Sequence, residues 1–60
     1  MLEQHIGKKV DVYTLDPERD YENYTLAGVD QYGIYLLSRD DPNRSFMIAH
    51  HYVSFITLIP

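Results

Sequence analysis

The residues best suited to chemistry are His50 and His51, adjacent and followed by Tyr52. An imidazole can hydrogen-bond a base, stack on one, change its charge near physiological pH or ligate a metal. Neighbours on a strand point to opposite faces, so a single copy is not expected to chelate with both. A zinc shared across a symmetry axis is the metal alternative. A polar bend that satisfies its own backbone is the plainer one.

A second group is Asp30-Gln31-Tyr32-Gly33. Asp30 suits a structural role, because aspartate readily accepts bonds from turn N–H groups. Gln31 could read a base edge or simply be solvated. Tyr32 could stack on a base, worth about 1–3 kcal/mol per base, or cap the fold or pack on a neighbour. Tyr13 is the third candidate, for stacking on a base or for packing across strands.

Other chemistry is missing from the chain. There is no cysteine, hence no thiol nucleophile, disulfide or cysteine zinc cluster. No Gly-x-Ser-x-Gly or phosphate-loop pattern occurs. Asp40-Asp41 precedes Pro42-Asn43, a turn that accounts for both carboxylates. An enzyme is not expected, and neither a cofactor nor a metal is called for. The net charge of −4 argues against non-specific phosphate binding, which needs positive charge. It leaves room for a local site that grips bases by stacking. Lys8-Lys9 is the one pair of adjacent cations, and six tyrosines in 60 residues suit both strands and contact surfaces.

These residues must be held by a small all-β unit. The chain, residues 1–60, reads as one domain. Residues 1–5 could form a helical turn that Gly7 breaks. Residues 9–15 alternate, with Val10, Val12 and Thr14 on one face, as a strand should. Asp16-Pro17-Glu18-Arg19-Asp20 is a turn. A second strand spans 21–30, with Tyr24, Leu26 and Gly28 sharing a face. Gly33 closes a tight connection in which it could take a positive φ. Strands over 34–38, 45–49 and 53–59 follow, the last two joined by a sharp bend at His50-His51-Tyr52. Five short strands with short turns predict a small, strongly bent antiparallel barrel. No signal peptide or membrane span is visible, so a cytoplasmic protein without membrane contact is expected.

The last two strands depart from alternation. Phe46, Met47, Ile48 and Ala49 are apolar on both faces, as are Val53, Phe55, Ile56, Leu58 and Ile59. A half-exposed strand alternates, so these predict cover on both sides. A 60-residue chain buries only about 60% of the surface its unfolded form exposes. The second cover is therefore expected from another copy, in a homo-oligomeric ring joined through strands four and five.

Three segments resemble the Sm-like family, most closely its bacterial RNA-chaperone branch, Hfq. Val10-Asp11-Val12-Tyr13 resembles the family's first strand, and Gly28 to Leu37 the segment running through its Asp-Gln-Phe turn. Met47-Ile48-Ala49-His50-His51-Tyr52-Val53-Ser54 is similar to its Tyr-Lys-His-Ala-Ile-Ser segment. The resemblance covers residues 6–59. It implies an SH3-type five-stranded barrel, assembled as a ring around a pore and binding single-stranded A- or U-rich RNA. The uridine side would use Gln31, Tyr32, His50 and His51, and the adenine side Tyr13. His50 stands where that branch has lysine, and Tyr24 where glycine lets the second strand bend. These 60 residues contain neither the basic helix that precedes the barrel in that branch nor the Arg-Gly signature of the archaeal and eukaryotic members. A ring that assembles without binding RNA is the other expectation, drawn from the negative charge.

Overall fold

In the computed structural model, which describes residues 2–59, the chain forms five antiparallel strands in one sheet. They are β1 (Lys9–Thr14), β2 (Tyr21–Val29), β3 (Gly33–Leu37), β4 (Ser45–Ala49) and β5 (Val53–Leu58). The spatial order is β4-β3-β2-β1-β5, so β4 and β5 are the two edges. A 3-10 turn at Leu2–His5 precedes the sheet and another, His50–Tyr52, links the edge strands. Among the described residues no helix is long and apolar enough to cross a membrane.

The sheet is curled. Its extents are 27 × 26 × 24 Å, whereas a flat single layer is only about 10 Å deep. The curl comes from β2, which pairs with β1 along one part and β3 along another. Register slips occur opposite Asp11, between the Val10↔Tyr24 and Val12↔Tyr21 pairs, and again at Ala27. A bulge adds a residue to one strand and bends it. At the first slip Asn23 has φ 59, a left-handed conformation that asparagine tolerates better than most residues. Its N–H donates to Asp11 Oδ1 at 2.7 Å. Asn23 thus supplies a bend in β2, one residue before Tyr24. Arg39 ties down the same bulge: it donates to the Glu22 and Asn23 carbonyls and lies 4.1 Å from the Tyr24 ring centroid.

The concave side holds a core of Val10, Val12, Leu26, Ile34, Leu36 and Ile48. Val10, Val12 and Thr14 are buried, as the alternation of β1 requires. Thr14 is satisfied by a hydroxyl whose one proton is shared between the Asp16 and Arg19 carbonyls, each 2.9 Å away, and whose oxygen accepts from the Asp16 N–H. In β2 Leu26 is buried and Tyr24 packs half-buried against the same core, as their shared face requires, while the bulge at Ala27 interrupts the period before Gly28 and Val29 packs on the core instead.

The backbone bonds at the ladder ends fix which edge groups are free. Ser38 N–H donates to Arg44 O and His50 N–H to Tyr32 O across β3 and β4. Antiparallel bonding alternates, so Phe46 and Ile48 also face β3, while Ser45, Met47 and Ala49 turn their N–H and C=O outward. On the other edge Ile59 N–H donates to Lys9 O, and Asp11↔Thr57 and Tyr13↔Phe55 are register partners. Ile56 and Leu58 therefore present their backbone outward.

Candidate nucleic-acid interface

The β2–β3 turn is built around one carboxylate. Asp30 Oδ1 accepts from the N–H of Tyr32 at 2.8 Å and of Gly33 at 3.1 Å. Asp30 Oδ2 accepts from the Tyr35 hydroxyl at 2.6 Å. The Asp30 N–H donates to Gly33 O at 3.0 Å, closing the turn. These bonds hold the Asp30 carboxyl below the usual carboxylate range, the Tyr35 hydroxyl most of all, with the Tyr32 N–H next. Desolvation opposes them, and the Gly33 N–H and the charge of His50 add to them. The same bond raises the Tyr35 phenol, helped by desolvation and by the charge of Asp30. Asp30 is structural, as its type and position suggested.

Gly33 plays a different part from the one its sequence suggests. Its φ is not positive; Gly7 is the one described glycine with that conformation. A Cβ on Gly33 would lie 2.2 Å from the Ile48 carbonyl oxygen. The glycine is needed for close approach of β3 to β4, and the Asp30 side chain holds the turn.

Across this contact His50 joins the turn. Its Nε2 lies 2.6 Å from the Asp30 carbonyl oxygen, and its N–H donates to Tyr32 O at 3.1 Å. Tyr32 and His50, distant in sequence, therefore share one corner. Tyr32 is 65% exposed, while Gln31 and His50 are also open to solvent. An exposed ring on a fixed backbone, beside an imidazole, can stack on a base and bond its edge.

His51 and Tyr13 lie elsewhere. His51 lines a groove along the free β4 edge with Tyr21, Met47, Ala49 and Tyr52. Tyr13 stacks on Phe55 across β1 and β5, with ring centroids 4.5 Å apart and planes at 23°. Among the described residues, no three His, Asp or Glu side chains are grouped to hold a metal ion. Tyr35, the outer support of the turn, escaped the sequence reading. A tyrosine in the strand just after an Asp-x-x-Gly turn was its one available signal.

No protein-family model matches the chain, and no curated protein or solved structure matches it significantly.

Proposed function

We propose that the chain is an Sm-like subunit of a homo-oligomeric ring, its curled sheet closed as a barrel, that binds single-stranded A- or U-rich RNA. The observation that carries this reading is the corner of Gln31, Tyr32 and His50, held by a fully bonded Asp30 and lying next to the end of the free β4 edge. A base stacks on Tyr32, Gln31 or His50 bonds its edge, and Asp30 and Tyr35 keep the platform rigid.

The two edges support the assembly. Met47 in β4 and Phe55 and Leu58 in β5 are 47%, 55% and 44% exposed in the lone chain. Large apolar side chains with unpaired backbone beside them invite strand pairing. Joining β4 of one copy to β5 of the next covers Met47 and Leu58 and removes both open edges. It also repeats the Tyr32–His50 corner once per copy. The strand order, with a 3-10 turn between the edge strands, supports the family assignment in the same way.

The second reading, a ring that binds proteins and not RNA, is favoured by the net charge of −4. Fluorescence anisotropy with labelled oligo-U and oligo-A at low salt separates the two. Saturable binding that Tyr32→Ala weakens about 5- to 150-fold, the equivalent of about 1–3 kcal/mol of stacking, supports the RNA site. Absence of binding by either oligonucleotide at tens of micromolar refutes it. Light scattering tests the ring, and a monodisperse monomer under the same conditions refutes assembly.

A further inference from the structure

The outer face of β1 and β5 carries an aromatic surface that the Gln31–Tyr32–His50 corner does not use. Tyr13 and Phe55 are register partners, and their rings stack. Phe55 is more than half exposed, so the pair is an open apolar platform. Three carboxylates surround it. Asp11 lies two residues before Tyr13, on the same face of β1. The Val12↔Tyr21 pairing places Asp20, the residue just before β2, near Tyr13, and Glu22 follows in the bulge. Desolvation raises the Tyr13 phenol above its usual range, and the charges of Asp11, Glu22 and Asp20 add to the shift.

Among the described residues these carboxylates have no cationic partner within salt-bridge distance. Among the described residues the one ion pair joins Arg19 to Asp16. Lys9 lies two residues before Asp11 and bounds one end of the patch. Arg39 is occupied by the Glu22 and Asn23 carbonyls and the Tyr24 ring. An unneutralised acidic rim repels phosphate, which makes this a poor surface for nucleic acid. Its chemistry fits a guanidinium, which stacks on aromatic rings and bonds carboxylates through a planar fork.

We propose that the Tyr13–Phe55 face, rimmed by Asp11, Asp20 and Glu22, docks an arginine-bearing basic peptide segment of a partner protein. Guanidinium groups lie against the open side of the ring pair and bond the carboxylates. A lysine ammonium, compact and strongly hydrated, uses the charges and gains little from the rings. The site is independent of the Tyr32 corner, and oligo-U binding bears only on that corner.

The test is fluorescence anisotropy of the whole chain with fluorescein-labelled hexa-arginine at about 50 mM salt, where surface charge is incompletely screened. Hexa-arginine is expected to bind at least about threefold more tightly than hexa-lysine. Asp20→Asn/Glu22→Gln is expected to weaken hexa-arginine at least about tenfold, because two charge-assisted contacts are lost. Glu3→Gln/Asp40→Asn removes the same charge elsewhere and is expected to leave affinity within about twofold. All four carboxylates are exposed, and circular dichroism checks that each variant is folded. Equal losses in the two double variants would reduce the effect to net charge and overturn the proposal. So would equal affinity for hexa-lysine, or displacement of hexa-arginine by oligo-A that requires Tyr13.

Discussion

Gly33→Ala is the substitution the fold should tolerate least for its size. The added Cβ would sit 2.2 Å from the Ile48 oxygen, 2.9 Å from its carbonyl carbon and 3.0 Å from the Ala49 Cα. Ordinary contact begins at 3.4 Å, so β3 and β4 must part by about 1.2 Å at this end. The obstacle is backbone on all three counts and cannot rotate away. Overpacking of this kind costs about 1–3 kcal/mol. Parting the strands also strains the His50 N–H to Tyr32 O bond, worth about 0.5–1.5 kcal/mol. The sum, about 1.5–4.5 kcal/mol, is a large share of the roughly 3–9 kcal/mol expected for 60 residues. At about 4–8 °C per kcal/mol the melting temperature falls by about 6–36 °C. Gly28→Ala is the control. Its Cβ meets the Tyr35 side chain at 3.8 and 4.0 Å, ordinary contact, and its φ is not positive. It should be neutral or stabilising by up to about 1 kcal/mol. Thermal unfolding by circular dichroism reads both. A Gly33→Ala variant melting within about 4 °C of the parent would refute the close-approach argument.

Four further outcomes follow from the geometry. Asn23→Ala forces alanine into a left-handed conformation and should lose about 1 kcal/mol, whereas Asn23→Gly should be near neutral, both read by urea unfolding. Because the folded Asp30 carboxyl lies below its unfolded value of about 3.9, its contribution is full above that pH. It is lost as pH falls through the folded value, so the stability gap to Asp30→Asn should narrow on acidification; a pH-independent gap would contradict the bonding. Tyr35→Phe should return the Asp30 carboxyl towards its usual value, seen in an NMR titration. Met47→Pro removes an outward N–H and no β3–β4 ladder bond, so it should preserve the protomer's circular dichroism while lowering the assembly mass by light scattering.

Much of the strand content could be read along the chain, because Val10, Val12 and Thr14 repeat at the period a half-buried strand demands. The period was less informative in β2, where bulges at Asn23 and Ala27 shift which residues face the core. A bulge depends on the partner strand, and no local pattern announces it. Gly33 illustrates the same limit: its need arises from Ile48, a residue far along the chain. The turn site was legible where its logic is local, as in Asp30 and its N–H donors. The roles of Tyr35, and of Phe55 beneath Tyr13, emerge only once non-neighbouring strands are registered. The apolar two-facedness of β4 and β5 translates into Met47, Phe55 and Leu58 left exposed on the lone chain.

The edges differ in sequence and in the residues that offer free backbone. A β4-to-β5 join is therefore directional, like a tongue entering a slot, and every added copy presents a fresh slot. Such a chain of copies terminates only if the rotation from each to the next divides a full circle. Otherwise it grows as an open thread. The kinks at Asn23 and Ala27 set the tilt between those edges. In the proposed assembly, two backbone irregularities inside β2 would thus govern whether the protein ends as a discrete particle or an unbounded fibre.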